Sequence, residues 1–161
     1  MIKKFLFCLL VAGTSTLFAQ TNDSTLAPGY HPYSSIGFNL SSVSGIGLSY
    51  RNHFASPSQI QLTAGIVSSQ SSTSSSFGFE YQYQLSKKDS FRYYVSTGVG
   101  VYSGTVSTTA VGLGIGLELP IIGDIIYESV TGGLDLFYPV LYTGNESLVS
   151  FGGSLYIFYN F

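Results

Sequence analysis

The sequence predicts an all-β chain folded as an eight-stranded antiparallel up-and-down transmembrane β-barrel, and three observations lead there. Charged residues make up only 9% of the 161 residues, although hydrophobic residues reach an ordinary 45%. Apolar and polar residues alternate with a period of two from residue 34 to the end, and no helical stripe competes with that pattern. The polar side of the alternation is mainly Gly, Ser, Thr and Gln. A soluble sheet wets its polar face with ions. Small neutral groups instead suit the narrow interior of an eight-stranded barrel whose apolar face meets lipid. Closure follows, because hydrocarbon offers no hydrogen bonds to an open strand edge. The alternative is a secreted soluble sandwich or barrel with its apolar face inward.

The first element is an export signal. Lys3 and Lys4 precede an apolar run from Phe5 to Ala12, and a small-residue stretch ends in Phe18-Ala19-Gln20, so residues 1–19 read as a signal peptide cleaved after Ala19. A run of eight is far short of the roughly 20 residues that a spanning helix needs. Residues 20–33 are polar and turn-rich, a flexible lead-in to a barrel domain over 34–161. Cys8 belongs to the signal, which leaves the mature chain without a thiol.

Eight strands follow in turn. Ser34 to Leu40 and Ser44 to Arg51 are short, with Ile36, Phe38 and Leu40, then Ile46, Leu48 and Tyr50, on one face. Ser58 to Val67 sets Ile60, Leu62 and Ile66 against Gln61 and Thr63. In Ser76 to Leu85, Phe77, Phe79, Tyr81 and Tyr83 oppose Gly78, Glu80 and Gln82. Phe91 to Tyr102 sets Tyr93, Val95 and Val99 against Arg92, Tyr94 and Gly98, while Thr109 to Leu119 sets Val111, Leu113 and Ile115 against Gly112, Gly114, Gly116 and Glu118. A segment from about Glu128 to Tyr142 puts Leu134, Leu136, Tyr138 and Val140 opposite Asp135 and Phe137, and Pro139 marks a bulge or strand end. Val149 to Phe161 closes the set. Turn-rich clusters at 52–57, 68–73, 86–90, 103–107, 120–124 and 143–147 connect them. Aromatic residues near strand ends (Tyr50, Phe77, Phe91, Tyr93, Tyr142, Phe151, Tyr159, Phe161) would form interfacial girdles.

The terminal SLYIFYNF resembles the assembly signal of bacterial outer-membrane barrels, whose last residue is aromatic. In size and strand count the chain is similar to the small barrels typified by outer-membrane proteins A and X, and the Phe18-Ala19-Gln20 ending is similar to export signals of the Bacteroidetes. The resemblance implies the outer membrane of a Gram-negative bacterium as location. It implies outer-membrane lipid, lipopolysaccharide, the barrel-assembly machinery and an outer-membrane protein complex as partners. Leu155, Ile157, Tyr159 and Phe161 then carry the assembly signal.

Function is argued from what remains. The mature chain keeps four basic residues (Arg51, Lys87, Lys88, Arg92) against eight acids, a net charge of −4, so nucleic acid is not an expected partner. Two unclustered histidines and no mature cysteine offer no metal site, and no cofactor is expected. Gly112, Gly114 and Gly116 share one strand face and lack the helix of a dinucleotide loop. The inward charges Glu80, Arg92, Glu118 and Asp135 are the candidate site, a lumen polar network. Counting outward from the 103–107 loop puts Arg92 opposite Glu118 as a cross-strand ion pair. Such a pair serves as a structural plug, favoured because Tyr94, Tyr102, Tyr156 and Phe158 also fill the lumen, or as the gate of a narrow pore. A lipid A-modifying enzyme is the third reading. It would need a His-assisted Ser, and His31 falls in the lead-in and His53 in a turn on the side away from the outer leaflet. The expectation is a non-enzymatic barrel, structural or accessory to an envelope complex.

Overall fold

A computed structural model describes residues 31–68, 73–88, 91–122, 129–143 and 148–161. The expected signal peptide, most of the lead-in and the 69–72 and 144–147 loops lie outside the described residues. Eight strands run in chain order: β1 (Tyr33–Ser41), β2 (Ile46–His53), β3 (Ser58–Ser68), β4 (Thr73–Lys88), β5 (Phe91–Ser103), β6 (Thr108–Ile122), β7 (Ser129–Thr143) and β8 (Leu148–Asn160). Each pairs antiparallel with the next, and β1 pairs with β8, so the sheet is a closed up-and-down barrel. The seam extends to the last residue: Phe161 N donates to Ser34 O at 2.8 Å and Ser34 N to Phe161 O at 3.1 Å. The end where β1 begins and β8 finishes is the terminal end, and the other is the distal end.

Alternation divides the wall as the sequence predicts. Leu113, Ile115, Leu136, Leu155 and Ile157 are all about half exposed or more, while Gln59, Gln61, Thr63, Glu80, Gln82, Arg92 and Glu118 are buried. The polarity of a water-soluble fold is thus inverted, with ions and amides inside and aliphatic groups outside.

Four features depart from the sequence reading. Strands β4 and β6 run through the stretches expected as turns, to Lys88 and Ile122, because bulges at Gln84/Ser86 and Pro120/Ile122 absorb the residues that resemble turn formers. Pro139 does mark a bulge, between Phe137 and Val140, with Tyr138 and Pro139 both exposed; the doubled outward step turns Val140 and Tyr142 inward, so Tyr142 is no girdle residue. His53 is the last residue of β2 rather than part of a turn, buried with its ring stacked on Tyr33 at 3.7 Å. Finally, Ser44 and Gly45 do not begin β2. Residues 42–45 form a tight turn that dips into the distal mouth of the barrel, where Val43 is fully buried.

That turn is held on every side. Ser41 Oγ accepts from Val43 N at 3.1 Å and Ser44 N at 3.0 Å, an ST-type turn. Gly45 supplies the left-handed residue that lets the chain return, at φ 95°. Tyr102 Oη accepts from Gly45 N at 3.1 Å and donates to Ser41 O at 2.6 Å. Room for the turn comes from across the barrel, since a Cβ at Gly78 would strike the Ser44 carbonyl and one at Gly100 the Val43 carbonyl. These two glycines are cross-strand partners on β4 and β5.

Candidate functional site

The lumen is built in layers, and inward parity explains who occupies each. Below the distal mouth, Val43 packs with Ala110, Phe137 and Val140, with Tyr102 and Tyr142 against them. This layer is apolar. Beneath it Ser44 Oγ donates to Glu80 Oε2 at 2.7 Å, which ties the turn to the polar layers, and Gln82 Nε2 donates to Glu80 Oε1 at 2.6 Å.

The lower lumen centres on Glu118. Its Oε2 accepts from Arg51 Nη1, from Arg92 Nη2 at 2.7 Å and from Tyr156 Oη at 3.1 Å. Both guanidiniums are buried, as is the carboxylate. Neutral amides take the remaining donors: Gln61 Oε1 accepts from Arg51 Nε at 3.0 Å and Nη2 at 2.8 Å, and Gln59 Oε1 accepts from Arg92 Nη1. Aromatic faces cover the rest, with the Arg51 guanidinium 4.1 Å from the Phe158 ring centre and 4.4 Å from that of Tyr156, and Arg92 4.8 Å from that of Tyr94. Tyr94 Oη lies 2.7 Å from Tyr156 Oη and donates to Asp135, which also accepts from Ser154 Oγ; with one proton on each phenol, the Tyr94–Tyr156 bond alternates with the bonds to Asp135 and Glu118.

These contacts form one connected web. From Ser44 it runs through Glu80, Gln82, Arg92, Glu118, Tyr156 and Tyr94 to Asp135 and Ser154. The four charges singled out in the sequence, Glu80, Arg92, Glu118 and Asp135, are therefore all in it, and Arg92 faces Glu118 across β5 and β6. Arg51 is the member the sequence reading passed over, and it makes the pair a triad. The signal was there: Leu48 and Tyr50 point outward, so Arg51 must point in. Gln61 and Gln82 fall on the inner face in the sequence but were not counted in the network, and Gln59 was not singled out, since amides carry no charge to mark them.

Chemically, the arrangement binds β2 through β8 to one another. It presents no exposed nucleophile beside a base. His53 lies at the terminal end, and His31 precedes β1 and is exposed. Among the described residues no three His, Cys, Asp or Glu side chains converge as a metal cage. Leu155, Ile157 and Tyr159 lie on the outer face of β8, and Phe161 closes the seam beyond it. Comparison with protein-family models, curated proteins and solved structures finds no match to this chain.

Proposed function

We propose that the chain is a small integral protein of the outer membrane of a Gram-negative bacterium, a non-enzymatic barrel with a sealed lumen that acts as a structural element or accessory subunit of an envelope complex. The inverted polarity carries this reading. Soluble monomers rarely expose contiguous apolar patches beyond a few hundred Å². Here Val95, Ile115 and Leu136 stand side by side on β5, β6 and β7, all exposed, and equivalent rows continue around the wall. Hydrocarbon is the solvent that makes such a surface favourable. Strands of 13 to 16 residues on β4 to β8 are long enough for a tilted crossing.

The sealed lumen favours a structural part over a pore, because an apolar layer and an ionic layer lie in series across it. Partners follow from the outer face: lipid along the apolar band, the barrel-assembly machinery at the β8 strand, and lipopolysaccharide at the distal rim. Contact at that rim is expected to be with acyl chains more than phosphates, because the four basic residues of the mature chain all lie in the half nearer the termini.

The test is partition and depth. The protein should fractionate with outer membranes and migrate differently on gels before and after boiling; recovery as a soluble protein would overturn the reading. Ile115, 62% exposed at the middle of β6, sets the magnitude. Ile115→Arg should cost about 2–4 kcal/mol of folding free energy in vesicles if lipid surrounds it, whereas a water-facing site would tolerate it.

A further inference from the structure

The barrel wall is not of even height. β1 and β2 have 9 and 8 residues, against 11 to 16 in the other strands. At the distal end β1 last pairs with β8 at Ser41 and Ser154, helped by Ser42 N donating to Gly153 O at 3.0 Å, and β2 last pairs with β3 at Leu48 and Ala64. Beyond those points β3 continues to Ser68 and β8 begins at Leu148, and among the described residues neither pairs with β1 or β2 there, although Ile46 lies against Gly65 and Ser42 against Gly152 from the inner side. A notch is therefore cut into one side of the distal wall, floored by the 42–45 turn.

A cavity of about 490 Å³ opens there, and its lining crosses the wall. Leu40 belongs to the outer face and is 47% exposed, while Tyr102, Thr108 and Tyr142 belong to the distal mouth, over Ser42 and Ile46. An unbroken wall separates such residues. The volume falls in the roughly 300–1,000 Å³ range of small-molecule sites. No charged side chain lines it. On its outer side Leu40 adjoins Leu155 of β8 and Ile46 of β2, so the cavity is continuous with the exposed apolar band.

We propose that this notch is a lateral portal that admits one alkyl chain of a neighbouring membrane lipid into the distal mouth, above the Val43 layer. The inference rests on the membrane reading above. Continuity with the lipid-facing band lets a chain enter sideways without crossing polar surface, and the uncharged lining selects for the chain and not for a headgroup phosphate. The buried Val43 layer below stops it from going deeper.

Because the sequence has no tryptophan, single reporters are clean. The mature protein would be refolded in phosphatidylcholine vesicles with acyl chains either brominated or plain. Tyr142→Trp places the reporter in the cavity and Ile115→Trp on the outer wall. Bromine should quench both by at least half, and adding Thr108→Phe, which fills the cavity, should cut the quenching of Tyr142→Trp at least twofold and leave that of Ile115→Trp unchanged. If Ile115→Trp is quenched but Tyr142→Trp is not, or is quenched equally with the cavity filled, the portal is overturned while the membrane reading stands. An unquenched Ile115→Trp removes both. Cross-linked dimers that abolish Tyr142→Trp quenching would assign the notch to a second copy instead and overturn the lipid. If Tyr142→Trp does not give the folded gel band, Thr108→Trp reports from the same cavity, with Leu40→Phe narrowing its entrance in place of Thr108→Phe.

Discussion

Glu118→Met tests whether the lumen is a dry plug or a wetted pore, because the two predict different energies. Glu118 is fully buried, and one of its oxygens contacts both Arg51 and Arg92, whose side chains are 0% and 1% exposed. Methionine keeps the length and removes the charge, which strands two guanidiniums. Breaking a buried ion pair by removing one partner costs about 3–5 kcal/mol. At 1.4 kcal/mol per decade that is a loss of roughly two to three and a half orders of magnitude in the folding equilibrium. In a water-filled channel the same pair would be worth about 1 kcal/mol or less. Denaturant unfolding of the vesicle-inserted barrel, followed by gel mobility and circular dichroism, reads the difference. Adding Arg51→Met should recover part of the loss, and the triple variant with Arg92→Met should recover more, since apolar replacement of a buried triad avoids its desolvation, but stop short of the parent because Gln59 and Gln61 lose their donors. Neutralising Arg92 and Glu118 alone should not suffice, because Arg51 remains. A Glu118→Met loss below about 1 kcal/mol would refute the dry plug.

The distal turn can be probed with one thiol, since residues 9–161 contain no cysteine: Val43→Cys should resist a water-soluble maleimide at least tenfold better than Val106→Cys on the exposed 104–107 loop, and adding Gly100→Val should abolish that protection by expelling the turn. Equal labelling of the two single cysteines would show the turn does not occupy the mouth. Tyr102→Phe removes the hydroxyl that joins Gly45 N and Ser41 O, and should cost about 0.5–1.5 kcal/mol in the same unfolding assay; no change would mean that water takes its place without loss. Phe161→Ala separates recognition from closure, because the Phe161 backbone bonds to Ser34 survive it while the aromatic end is lost. Slower assembly in cells with unaltered unfolding in vesicles is expected, and normal assembly kinetics would remove the side chain from the assembly signal.

What the sequence reveals is parity, and what it hides is where parity fails. Arg92 and Glu118 could be paired by counting from the loop centre because the β5–β6 register is unbroken from that loop down to the pair, Tyr102 facing Thr108 at one end and Arg92 facing Glu118 at the other. On β7 the same count goes wrong after Pro139, since the bulge inserts one outward residue and every later side chain changes face. Strand ends were misjudged where Ser86, Lys87, Lys88 and Pro120 look like turn residues, although an irregular register accommodates them within the strand. The buried turn could not be read locally at all. Ser42 to Gly45 has the composition of any surface connection, and the reason it turns inward lies on β4 and β5, in Gly78 and Gly100.

The glycines also explain why so little charge is needed inside. On β5 and β6, between Ser96 and the level of Tyr102, the inner wall carries Gly98, Gly100, Gly112 and Gly114, a patch without side chains, beside Ala110, that faces a turn bringing its own. Val43 fills that space with an apolar group; its N–H bonds Ser41 Oγ, and Tyr102 ties Ser41 O and Gly45 N on either side of it, so the distal half needs no ions to close. Nearer the termini, among the described residues, no loop reaches in, and long side chains do the filling from the walls. Arg51, Arg92, Gln59, Gln61 and Gln82 have the reach, but two of them bring charge that must be neutralised in a dry space. Glu118 meets both with one oxygen. The lumen thus uses a borrowed hydrophobic residue at one end and a minimal ionic set at the other, and a route through it would require both to move.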